Sequence, residues 1–165
     1  MMGCDIHITI EQRKDGQWER VHWYNSTRNS WEKWDHPPDV MGAVKVPENF
    51  KRRCYSLFGV LAGVRSNLLP CIAEPKGLPK DLSFPADDHD NYVGDHSFSW
   101  LTLQELEEYP LDQPCFLSFY AYADDYPIQK PIRNMAVGEW FEEVLPVLRT
   151  LGEPDDVRIV FGFDN

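Results

Sequence analysis

The sequence predicts an α+β domain: a mainly antiparallel sheet with helices packed on one face and two long loops. Three observations carry this reading. Residues 3–11 and 157–164, far apart in the chain, both alternate apolar and polar side chains, the period of a strand. Residues 138–151 instead place Trp140, Phe141, Val144, Leu145, Leu148 and Leu151 at helical spacing. The 165 residues suit one domain, 1–165, with a single core.

The elements follow in order. Cys4, Ile6, Ile8 and Ile10 share one face of the first strand, and Asp5, His7, Thr9 and Glu11 share the other. Asp15-Gly16 is a hairpin signal, and residues 17–24 alternate again, so the chain opens with a hairpin. Residues 25–54 hold no period and form the first long loop, with a short strand expected near Val44 to Val46. Tyr55 to Arg65 sets Leu57, Phe58, Leu61 and Val64 on a helical stripe; Gly59 and Gly63 weaken it and leave a strip that another backbone can approach. Residues 70–95, with four prolines and the acidic run Asp87-Asp88-His89-Asp90, form the second long loop. Thr102-Leu103-Gln104-Glu105 is a capping box that starts a short helix before Pro110. Cys115 to Tyr122 is apolar on both faces and reads as a buried strand. Pro146 predicts a kink in the last helix and Gly152 its C-cap. In the final strand Arg158, Val160, Gly162 and Asp164 share one face.

Composition excludes whole classes of function. Lys and Arg number 16 against 27 Asp and Glu, a net charge of −11, which repels phosphate backbones and argues against a protein that coats nucleic acid. A small nucleotide held by a few local arginines remains compatible with that field. No apolar run approaches the roughly 20 residues of a membrane span. No basic segment followed by an apolar block opens the chain, so the expected address is cytoplasmic. Cys4, Cys54, Cys71 and Cys115 lie at no CxxC spacing and read as small buried hydrophobes rather than zinc ligands.

The polar face of the first strand is the most informative chemistry. Asp5, His7 and Thr9 line up about 6.6 Å apart, a carboxylate, an imidazole and a hydroxyl suited to proton transfer or metal ligation. The competing reading is a solvent-facing sheet surface. If the last strand neighbours the first, Arg158 and Asp164 join this face, and Gly162 either leaves room for a ligand or marks a packing gap. His96 and Ser97 precede the capped helix, where backbone amides favour an anion. Arg65 and Asn67 close the glycine-bearing helix. The catalytic candidates are therefore His7, His96 and Thr9, and the ligand-binding candidates are Arg65, Asn67, Ser97, Trp100 and Arg158. A divalent metal, if one is used, would take Asp5, His7 and Asp164. His7-Ile8-Thr9 matches half of a two-histidine phosphoesterase signature, but the residue two after His96 is Phe98, not Ser or Thr. GxGxxG, P-loop, HExxH and nucleophile-elbow motifs are absent, and Asp87-Asp88-His89-Asp90 lacks EF-hand spacing.

Met2-Gly3-Cys4-Asp5-Ile6-His7, Tyr55 to Arg65, Gly77-Leu78-Pro79, His96 to Leu103 and Phe163-Asp164-Asn165 together resemble a family of small, largely uncharacterised phage and bacterial proteins that open Met-Gly-Cys-Asp-Ile-His. The resemblance implies a phage origin, and small phage proteins often counter host immune signalling by nucleotides. Three functions follow as expectations: a phosphodiesterase-like hydrolase of a small nucleotide, a module that sequesters such a ligand intact, and an acidic protein that blocks a host partner. A homo-oligomer is compatible with each.

Overall fold

The structure is a computed structural model that describes residues 3–25, 42–66, 69–86, 92–117 and 128–165, with backbone alone at 114–117 and 128–130. Its centre is a four-stranded, wholly antiparallel sheet. Strands β1 (Asp5–Lys14), β2 (Gln17–Val21), β5 (His96–Thr102) and β8 (Val157–Asp164) lie in the order β2-β1-β8-β5. β1 and β2 are joined by Asp15 (φ 52°) and Gly16 (φ 78°), the two positive φ values of a turn whose twist matches a hairpin. β3 (Trp23–Tyr24) and β4 (Val44–Lys45) form a short parallel pair, and β6 (Pro114–Leu117) and β7 (Ile128–Pro131) an antiparallel one. The last part of the expected strand Cys115 to Tyr122, the acidic run at 87–90 and Asn67 lie outside the described residues.

The two alternating runs pair with each other. Ile6 faces Phe163, Ile8 faces Phe161 and Ile10 faces Ile159, so one side of the sheet is a continuous apolar surface. Helices α1 (Tyr55–Ala62) and α3 (Ala136–Arg149) cover it, bringing Leu57, Phe58, Leu61, Trp140, Phe141, Val144 and Leu148 into the same core. Gly63, at φ 69°, does not weaken α1 from within but ends it, its N–H reaching the Gly59 carbonyl. At Gly59 a side chain would lie 2.6 Å from the Ser66 carbonyl, so the backbone that approaches this strip is the chain itself folding back. Helix α2 (Leu103–Glu107) has both halves of its capping box. α3 begins two residues earlier than its stripe suggests, keeps Pro146 on its exposed side and ends at Thr150, so Gly152 is not its cap. Cys4, Cys54 and Cys71 carry free thiols, Cys4 fully buried. Among the described residues no helix is long and apolar enough to cross a membrane.

The other side of the sheet is not open to solvent. The second long loop crosses it, and Phe84, Val93 and Val160 form a small second core with Leu78, Leu82, Ala86 and Trp100 around it. Beneath this cover, Arg158 is 2% exposed and Glu11 fully buried, joined Nε to Oε1 at 2.8 Å. Arg158 Nη1 also donates to Asp81 Oδ1 (2.9 Å), Nη2 donates to the Asp81 carbonyl (3.2 Å), and the Ser83 N–H donates to Glu11 Oε2 (2.8 Å). The guanidinium lies over Trp18 at 3.9 Å and beside Trp100 at 5.6 Å. The sheet's ion pair thus ties the loop down at two points, Arg158 at Asp81 and Glu11 at Ser83.

Two outcomes are expected of this clamp. Arg158→Met leaves Glu11 buried without its charge partner, so stability should fall by about 3–5 kcal/mol, whereas Glu11→Leu combined with Arg158→Met should recover most of the loss. Urea denaturation of the three chains decides it; equal losses in single and double variants would show that the pair is not a unit. The second outcome concerns pH. The hydrogen bond from Arg158 holds the Asp81 carboxyl below its usual range, and the Arg158 charge adds to this. A lowered folded value means the contact contributes stability above the ordinary Asp range, near pH 4, and loses it as pH falls through the folded value. Pepsin nicking within residues 79–86, taken relative to an unfolded reference peptide at the same pH, should therefore rise with acidification below pH 4, and this relative rate should change less with pH in Asp81→Asn.

Candidate functional site

The β1–β8 register brings Asp5 opposite Asp164 and His7 opposite Gly162, at the end of the sheet where β1 begins and β8 finishes. His7 Nε2 and Asp164 Oδ2 are 2.7 Å apart, with the two side chains 20% and 28% exposed. An ionised carboxylate can only accept, so in this pairing Nε2 carries the proton and Nδ1 is left as the basic nitrogen. Asp164 Oδ1 also accepts the Asp5 N–H at 3.2 Å, which fixes the carboxylate from a second side.

Asp5 does not face His7. Its two oxygens accept from Arg53 Nε (2.7 Å) and Nη2 (2.8 Å), a bidentate pair at the surface. Chiefly through those hydrogen bonds Arg53 lowers the Asp5 carboxyl, and burial opposes it. The guanidinium lies flat against Gly3, where a side chain would come within 2.5 Å of Nη1. On the far side of His7 stands Tyr92, its ring edge-on to the imidazole at 4.7 Å and 73°. Tyr92 Oη donates to Asp95 Oδ1 at 2.6 Å. Desolvation, then that hydrogen bond and the charges of Asp95 and Asp164, push the phenol up to about 12.

Two glycines place Tyr92 there. A Cβ on Gly162 would collide with the Val93 carbonyl and lie 2.8 Å from Phe98 Cδ1, and one on Gly94 (φ 97°) would lie 2.6 Å from the Phe163 nitrogen. The covering loop therefore runs in backbone contact with β8, closed by the Asp95 N–H on the Phe163 carbonyl at 2.8 Å. Gly162 does not leave room for a ligand; the chain's own Val93 and Phe98 fill it.

The structure separates several residues that the sequence grouped. His96 opens a seven-residue strand rather than a loop at a helix start, so the anion site expected ahead of α2 does not form around it. It pairs with Phe163 and stacks on that ring at 6.2 Å and 29°, on the helix-covered side. His7 is on the other side, so the two histidines lie across the sheet from each other and do not share a pocket. A bulge between His96 and Ser99, with Ser97 at φ 53°, causes this. One extra residue reverses the alternation and turns His96 away from the face of Phe98 and Trp100. Ser97 Oγ sits 2.9 Å from His96 Nδ1, while His96 Nε2 is buried without a hydrogen-bond partner.

Thr9 shares the face of His7 but is buried under the loop. Arg158 and Trp100 belong to the clamp; Arg158 stands six positions before Asp164 on β8, about 20 Å away. Arg65 does reach the corner, its Nη2 donating to Asn165 Oδ1 at 2.8 Å. Asp5, His7 and Asp164 do not converge as a metal centre: Asp5 turns to Arg53, and among the described residues no three His, Cys, Asp or Glu side chains come together to hold an ion. Arg53, Tyr92 and Asp95 are the residues that sequence reasoning missed. They lie in aperiodic segments, and only the fold brings them to β1.

The flat seat of Arg53 on Gly3 makes a separable test. Gly3→Ala must push aside only the far end of a flexible side chain, so stability should change by less than about 0.5 kcal/mol, as for surface substitutions. Arg53 should nevertheless leave Asp5. The Asp5 carboxyl, followed by NMR titration, should rise toward its ordinary value near 3.9; an unmoved titration would show that Arg53 keeps its place.

Comparison with protein-family models, with curated proteins and with solved structures gives no match.

Proposed function

We propose that this corner binds a small nucleotide-type phosphodiester and that His7 transfers the proton in its hydrolysis. The observation that carries the reading is the His7–Asp164 pair: a partly exposed imidazole held at Nε2 by a carboxylate, with Nδ1 as its second nitrogen. His7 Nδ1 takes a proton from an attacking water as the new P–O bond forms. The P–O bond to the leaving oxygen breaks with its electron pair on that oxygen, and the imidazolium returns the proton there. Water is consumed and two products form, with no oxidant or reductant. Arg53, which commits Nε and Nη2 to Asp5, keeps Nη1 for a phosphoryl oxygen. The resemblance of the opening block to small phage proteins agrees with a nucleotide signal as the ligand.

A second reading rests on a specific observation. With His96 on the other side of the sheet, no second imidazole waits at the leaving oxygen, and a site that binds without cleaving is the simpler use of the same corner.

Incubation with cyclic and linear nucleotides, followed by chromatography of free and heat-released ligand, separates the two. Turnover supports hydrolysis, intact release supports sequestration, and the absence of both sinks the nucleotide reading. Within the hydrolytic reading, His7→Ala should lower turnover about 10²- to 10⁴-fold at a stability cost of about 1 kcal/mol. His96→Ala should leave turnover unchanged. A His7→Ala chain with wild-type turnover and melting would make the pair a surface contact alone.

A further inference from the structure

The corner is lopsided. On one side Arg53 is paired with Asp5 and Lys51 acts on the same carboxylate, two cations to one anion, whereas the Tyr92 side carries the Asp95 carboxylate. A phosphoryl group placed beside Asp95 and Asp164 would be repelled, so a phosphorylated ligand can seat its phosphate only toward Arg53. What lies toward Tyr92 must be uncharged and able to use an aromatic surface.

Tyr92 is suited to that. Among the described residues it is the most exposed large apolar side chain, at 47%. Tyr55, at 38%, is the other, but it leans on Phe58 at 5.7 Å on the helix side and its Oη meets the Cys4 N–H at 3.4 Å. The Tyr92 ring is held in place before any ligand arrives: its hydroxyl is anchored on Asp95 and its ring abuts His7. A ring ordered in advance loses little freedom when a flat group stacks on it. Resting on the nucleotide reading above, we propose that Tyr92 is the specificity-determining residue of the site, the surface on which the base of the ligand stacks while Arg53 holds its phosphate. The substrate class is then restricted to nucleosidic phosphoesters, and sugar phosphates bind only through the Arg53 half.

Calorimetric titration with AMP and with ribose 5-phosphate tests this, since neither contains a diester to be cleaved. The wild-type chain should bind AMP the tighter. Tyr92→Leu should weaken AMP about 5- to 150-fold, the range that base–aromatic stacking provides, and leave ribose 5-phosphate unchanged. Tyr92→Phe, which keeps the ring but loses its anchor on Asp95, should weaken AMP less than Tyr92→Leu does and leave ribose 5-phosphate unchanged. Equal affinity of the two probes for the wild type, or undiminished AMP binding by Tyr92→Leu, overturns the stacking role while the phosphate half stands. Loss of ribose 5-phosphate binding in Tyr92→Leu as well would make Tyr92 a structural prop of His7 and equally overturn it. If neither probe binds the wild type, this inference fails, and the nucleotide reading is decided separately by the incubation with cyclic and linear nucleotides.

Discussion

A buried Arg158–Glu11 pair lies between the sheet and the loop that crosses it, and the rest of the molecule is arranged around that pair. Glu11 and Arg158 are directly opposite each other in the β1–β8 register. A slip of one residue would turn every side chain of β1 to the wrong side. It would also strand two charges in a low-dielectric layer, so the pair specifies register more than it adds stability. Six residues along β8, the same register sets Asp164 against His7. The His7–Asp164 corner therefore shares one register with a distant buried ion pair.

Covering both faces explains why so polar a strand face occurs in an acidic, loop-rich chain. A sheet with helices on one side can leave its other side wet. Here the second face is dry at its middle, where Val160 meets Phe84 and Val93, and becomes partly exposed only at the end, where His7 and Asp164 emerge. That gradient is what the corner needs. An imidazole–carboxylate pair buried as deeply as Glu11 could meet no substrate, and one fully in water would hold no fixed geometry.

The strands were legible because period-two alternation records which side is apolar, and β1 and β8 display it clearly. The pairing of His7 with Asp164 could be anticipated only conditionally, from two faces that match if the strands are neighbours. The errors have equally local causes. A strict two-residue period puts His96 on the face of Trp100, and the bulge at Ser97 reverses it; nothing in His96-Ser97-Phe98 announces an inserted residue. Arg158 resembles a free phosphate ligand until Asp81 and Glu11 are seen to occupy it. Gly162 looks like a vacancy until Val93 and Phe98 are seen to fill it. For Arg158 and Gly162 the missing partners Asp81 and Val93 lay in the covering loop, where no period reports what a segment packs against.

The two halves of the corner differ in mechanical character for the same reason. His7 and Asp164 stand on paired strands at the centre of the sheet, separated by 157 positions in sequence, so their geometry persists as long as the sheet does. Tyr92 and Asp95 stand on the covering segment, joined to β8 by one backbone hydrogen bond and by close contacts that two glycines permit. Segments with few such bonds open at lower free energy than paired strands. The ring of Tyr92 is nevertheless fixed locally, by its hydroxyl on Asp95 and its edge against His7. The corner therefore joins a pair set by strand pairing to a ring set by side-chain contacts, and the proposed proton transfer and stacking would each draw on a group ordered in advance.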